Sequence, residues 1–113
     1  MYKLVKDNDT TTRAHNESYN IKNYLTREFS KDFSLAVSQM DGSHEPTKSV
    51  ASDRIYYFIK GRATFTIDGT QIDVAKDDVL FIEKNTEYSF RGKFRAVLVN
   101  LPAFGIENDR NKL

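Results

Sequence analysis

The sequence predicts an all-β barrel, and three observations carry that prediction. Between Arg54 and Gly92, runs of β-branched and aromatic residues alternate with tight turns. One of those turns is Asp68-Gly69, a pair that tolerates the positive φ a two-residue hairpin needs. Within the runs, side chains alternate: Phe65 and Ile67 stand against Thr64 and Thr66, the period of a strand with one buried face. Closing such a sheet removes the edges that would otherwise aggregate.

Taken in order, Met1 to Asn20 is polar, and only Tyr2, Leu4 and Val5 suggest a short strand. Its remainder reads as a loop, or as an arm ordered on the barrel or on a partner subunit. A strand is expected near Tyr24 to Glu28, with a short helix as the alternative. Ser30-Lys31-Asp32 is a turn, and Phe33 to Met40 a strand with Leu35 and Val37 on one face. Asp41 to Asp53 holds Gly42, Pro46 and several Ser and reads as a loop. Ile55 to Ile59 is a strand stopped by Lys60-Gly61. Ala63 to Ile67 and Gln71 to Val74 form the hairpin around Asp68-Gly69. Val79 to Ile82 is a buried strand, Glu83 to Glu87 a polar loop, and Tyr88 to Phe90 opens the next strand. Phe94 to Leu101 is the last, stopped by Pro102. The expected organisation is residues 1–33 as arm and first strands, 34–104 as barrel core, and 105–113 as a polar tail.

Composition excludes several classes. The net charge of +1 gives no nucleic-acid footprint. With no Cys, disulfides and thiolate metal sites are absent. No apolar run approaches membrane-spanning length, so no membrane partner is expected, and a cytoplasmic protein is the expectation. On the strand beginning at Arg54, the inward set is Arg54, Tyr56 and Phe58, and Ile55, Tyr57 and Ile59 take the other face. That second face is itself largely apolar, which predicts a cover: the N-terminal arm or a second copy of the chain. With eight Phe and six Tyr in so short a chain, a homodimer is expected.

Two segments carry a resemblance. Arg54-Ile-Tyr-Tyr-Phe-Ile-Lys-Gly61 resembles the end of the first cupin motif. Asp77-Asp-Val-Leu-Phe-Ile-Glu-Lys-Asn-Thr-Glu-Tyr88-Ser-Phe-Arg-Gly92 resembles the second. The resemblance spans about Ser34 to Phe104 and implies a cupin double-stranded β-helix, a jelly-roll-like barrel. It also implies a metal held by two His and a Glu of the first motif and a His of the second. This sequence departs at each position. Arg54 stands at the Glu and Tyr88 at the last His. The first two His fall on Thr47 and Ser49, or on Lys48 and Val50. A guanidinium has no lone pair to offer near neutral pH, so no metal cofactor is expected there. His44 and Glu45 are the nearby pair with ligand chemistry and form an alternative metal site. The favoured reading of His44 is an exposed loop residue.

The replacements suggest a pocket for an organic anion or sugar derivative, formed by Arg54, Tyr56, Tyr88, Lys48 and Phe90. Arg offers a planar fork of donors, and Tyr a stacking face with a hydroxyl. Alternatively Arg54 pairs with an internal acid such as Asp53, Asp78 or Glu87 while the rings fill the core. The favoured function is a non-catalytic small-molecule-binding or regulatory module. A metal-independent isomerase, epimerase or lyase on a sugar or small acid is the alternative, and a structural dimerisation module a third. Tyr88, Tyr56 and His44 are the candidate bases, none convincing from sequence alone.

Overall fold

The computed structural model describes residues 1–105, Glu107 and, for their backbone, Asp109–Asn111. A 3-10 turn at Asp7–Asp9 precedes strands β1 (Thr11–Asn16), β2 (Tyr19–Leu25), β3 (Ser34–Ser49), β4 (Asp53–Ile67), β5 (Thr70–Ala75), β6 (Val79–Ile82), β7 (Tyr88–Leu101) and β8 (Asp109–Asn111). They form one antiparallel sheet of order β1-β2-β3-β7-β4-β5, with β6 added beside β4 and β8 beside β3.

Three long strands make the barrel because they bend. Tyr56 and Phe65 lie nine residues apart on β4, about 30 Å if the strand were straight. Their ring centroids are 5.4 Å apart, so β4 turns back over itself. The bend lies where the β4–β7 register shifts between Phe58 and Lys60, followed by Gly61 at φ 83°. A Cβ on Gly61 would collide with the carbonyl oxygen of Lys93 on the neighbouring strand. Lys60-Gly61 is therefore a bulge inside one strand, where the sequence predicts a stop. On β7, Gly92 plays the same part opposite Gly42 and Ala63 and joins the two segments read as separate strands.

The hairpin is as predicted. Asp68 and Gly69 have φ of 49° and 83°, and Ile67 pairs directly with Thr70. The alternation on β4 also holds: Arg54, Tyr56 and Phe58 are buried and Tyr57 is exposed. Inside, Phe58, Phe65, Phe90 and Phe94 pack with Tyr19, Tyr56 and Tyr88 into one aromatic core.

The N-terminal region differs from expectation. Tyr2 and Leu4 are exposed and outside any strand, whereas Thr11–Asn16 and Tyr19–Leu25 are strands of the sheet. Few of these positions are apolar because β1 is an edge strand with one inward face, occupied by Arg13 and His15. The strand expected near Tyr24 to Glu28 ends at Leu25, and a turn follows. The loop expected over Asp41 to Asp53 is mostly strand, since β3 stays paired with β7 through Gly42 and as far as Thr47. Within the expected tail, Asp109–Asn111 pairs with Ser49–Thr47, while residues 106, 108, 112 and 113 lie outside the described residues.

Candidate functional site

One polar pocket opens among β1, β2, β3, β4, β7 and the chain after β7. Its floor is buried: Tyr19, His44, Thr47, Arg54, Tyr56 and Asn100 contribute its polar atoms. Its rim is half-exposed and consists of Arg13, His15, Asn23 and Phe104. The enclosed space is about 40 Å³, room for a few water molecules. A larger ligand enters only if rim side chains swing aside.

Strand register explains this assembly. Ser34, Asn100 and Arg54 are cross-strand partners on β3, β7 and β4 and share the inward face. Arg54 is 4% exposed; its Nε donates to Asn100 Oδ1 at 2.7 Å and its Nη1 to Tyr88 Oη at 2.9 Å. The Tyr88 and Tyr56 hydroxyls lie 2.9 Å apart, so the guanidinium heads a chain of two phenols. Burial pushes the Tyr56 hydroxyl well above its ordinary pKa, and Tyr19 likewise. Both stay neutral at pH 7 and serve as hydrogen-bond donors rather than bases.

The imidazoles lie on the other side of the pocket. His44 is 7% exposed within β3, not in a loop, and its ring stacks on Phe90 and on His15. His44 Nδ1 lies 2.6 Å from the carbonyl oxygen of Glu45. A carbonyl only accepts, so Nδ1 carries a proton, and Nε2 on the other side of the ring lies 3.9 Å from Glu45 Oε1. His15 Nε2 bonds the Glu45 carboxylate. Burial raises the Glu45 pKa, but its backbone hydrogen bond and His15 outweigh that and hold it below the usual glutamate range.

Of the residues expected to bind ligand, Arg54, Tyr56 and Phe90 line the pocket, and Tyr88 supports it from within the core. Lys48 does not join them. Thr47 and Ser49 point inward, so Lys48 between them takes the other face of β3. Arg13, His15, Tyr19, Thr47 and Asn100 are pocket residues the sequence reading missed. For Arg13 and His15 a signal existed: two polar residues spaced i, i+2 on one strand share a face.

Thr47 and Ser49 face inward, so of the two alignments considered from the sequence it is theirs that points into the barrel. The set that the sequence resemblance would place at a metal is then Thr47, Ser49, Arg54 and Tyr88, three hydroxyls and a cation. It does not fit a metal. Among the described residues His15, His44 and Glu45 bring their donor atoms within 4.8 Å of one another. The two imidazoles, however, are stacked, with centroids 4.4 Å apart and planes inclined by 16°. In-plane lone pairs of stacked rings run side by side, so as arranged they do not converge on one ion.

No family model matches the sequence, and neither does any curated protein. Solved structures do match. Streptomyces Pac13, described as a nucleoside dehydratase, superposes with a TM-score of 0.88 at 16% identity over 99% of this chain and 92% of that one. A Tyr-to-Phe variant of Pac13 with uridine gives 0.89 at 17% identity, over 99% and 91%. KdgF from a Halomonas species gives 0.79 at 12% identity, over 92% and 96%. The polyketide cyclase RemF from Streptomyces resistomycificus gives 0.79 at 17% identity, over 100% and 87%. These are cupin barrels. The chain has the cupin fold.

Proposed function

We propose that this protein is an acid–base lyase that removes water from a small hydroxylated carbonyl compound, with His44 as the base. The observation that carries the reading is His44 itself: a buried imidazole in a polar pocket, its tautomer fixed by the Glu45 carbonyl. An imidazole has a pKa suited to proton transfer near neutrality, and the buried tyrosines do not. In the reaction His44 takes the proton from the carbon α to the carbonyl. That C–H pair forms the enolate, whose electrons then form the C=C bond as the β C–O bond breaks, and the leaving oxygen takes the proton back from the His44 imidazolium and departs as water. The Arg54–Tyr88–Tyr56 chain supplies donors suited to negative charge on oxygen.

Similarity to Pac13 supports this reading. That protein is a nucleoside dehydratase, and its variants solved with uridine replace tyrosines and a histidine. Tyr56 and His44 are residues of the same types in this pocket, and Tyr88 lies behind it, bonded to Arg54 and Tyr56. A nucleoside or a related sugar derivative is therefore the substrate class we favour. The small volume of the pocket favours a second reading, ligand binding without turnover. Also within this proposal, the chain is a homodimer built on the outward face of β3, β7, β4 and β6.

The test is turnover of β-hydroxy carbonyl derivatives of uridine and of uronic acids, followed by absorbance of the conjugated product. His44→Gln is expected to lower kcat about 100-fold or more. Equal turnover by the variant would refute the role of His44. Binding of these compounds with no turnover by the unaltered protein would select the second reading.

A further inference from the structure

Arg13 and Thr47 are left unexplained by the lyase reading, and both face the same pocket. Arg13 sits on the inward face of β1 beside His15, and its side chain forms no hydrogen bond or ion pair among the described residues. Its guanidinium lies 4.7 Å from the centroid of Phe104. Phe104 is itself held at the rim, its backbone amide donating to Ser34 Oγ at 2.8 Å. The Arg54 guanidinium approaches the same ring at 6.0 Å. Two guanidinium groups thus approach one end of the pocket, and among the described residues its lining includes no carboxylate. Glu45, which touches the lining through His15, is already engaged there.

Thr47 is the second, independent observation. It is 2% exposed and lines the pocket, and its Oγ1 is a buried side-chain polar atom with no hydrogen-bond partner among the described residues. An unsatisfied buried hydroxyl costs about 1–3 kcal/mol, and a polar atom of a bound ligand that displaces water from the pocket would satisfy it.

We infer that the ligand of this pocket carries an anionic group, a carboxylate or a phosphate ester, which Arg13 binds at the rim, while an uncharged polar part of the ligand reaches Thr47 below. The inference rests on the pocket reading above and adds the charge of the ligand to it. The rim position is suited to this. A fork of guanidinium donors matches the paired oxygens of either anion, and at the rim the ligand's charge stays partly hydrated. Moving Arg13 from the face of Phe104 onto an anion also unstacks the pair that narrows the mouth.

The experiment is calorimetric titration of the full chain with two matched pairs: uridine against uridine 5′-monophosphate, and glucose against glucuronate. In at least one pair the charged member is expected to bind about tenfold more tightly than its neutral counterpart. The first pair reports phosphate and the second carboxylate. Arg13→Gln is expected to abolish that difference within the pair without lowering the melting temperature. Arg13→Lys is expected to restore part of it. Thr47→Val is expected to weaken binding of both members several-fold without lowering the melting temperature, since the swap keeps the shape and removes the unsatisfied hydroxyl. Equal affinities within both pairs, or a preference that survives Arg13→Gln, would overturn the assignment of Arg13. Unchanged affinities in Thr47→Val would overturn that of Thr47. Turnover is a separate readout: loss of activity in His44→Gln with no anion preference would leave the lyase standing and remove the anion site.

Discussion

At the scale of single residues, Arg54 shows how a charge survives in a core. It is buried among aromatic rings, yet Asn100 and Tyr88 present acceptors at its inner edge. Tyr88→Phe would leave the Nη1 donor and the Tyr56 hydroxyl without that partner. The expected loss is about 1–3 kcal/mol, read by denaturant unfolding; a change within 0.5 kcal/mol on that roughly 1–3 kcal/mol scale would show that the bond carries little. Glu45 supplies a pH dependence. Its folded pKa lies below the unfolded value near 4.3, so its stabilising contribution is complete above that value. The contribution is lost as pH falls through the lower, folded pKa. Unfolding measured across the acid range should therefore show a shallower loss of stability for Glu45→Gln than for the unaltered chain. Arg54 and Tyr56 were legible because they sit in a run whose alternation names their face, and Tyr88 was singled out through the motif resemblance. His44 was not, since the Gly42 and Pro46 around it read as loop while the β3–β7 pairing that buries it is long-range.

At the scale of elements, the strands were legible and their joins were not. Alternation and the Asp68-Gly69 turn are local signals, and both match the structure. Glycine is ambiguous: the residue that ends a strand elsewhere lets β4 and β7 bend without ending. Gly61 has a positive φ and no room for a methyl group against the Lys93 carbonyl. Gly61→Ala would strain the bend on both counts and is expected to cost about 1–3 kcal/mol or more. Gly69→Ala is the control, because it has a similar φ of 83° and nothing within 4 Å of an added Cβ. Equal melting temperatures for the two variants would show that crowding at the bend adds nothing beyond the dihedral cost.

At the scale of the whole molecule, what stands out is the sheet face turned away from the pocket. Cross-strand register aligns Leu35, Val99, Ile55 and Phe81 in one row and Val37, Val97, Tyr57 and Val79 in the next. Phe81 and Val79 are 56% and 64% exposed. Four strands spaced by about 4.8 Å, with rows about 7 Å apart, give a continuous apolar patch rather than scattered residues. Such patches mark interaction surfaces, and an apolar patch presented identically by every copy can meet itself across a two-fold axis. It would form the apolar centre of an interface whose polar rim supplies the rest of the roughly 800 Å² per partner typical of stable dimers. Val79→Lys with Phe81→Lys places charges on the outermost strand, where folding of the barrel does not depend on either side chain. Sedimentation equilibrium is expected to give a dimer for the unaltered chain and a monomer for the double variant, with circular dichroism unchanged. A monomer for the unaltered chain at high concentration would show that this face works uncovered, and that its exposed aromatic and β-branched residues serve something other than self-association.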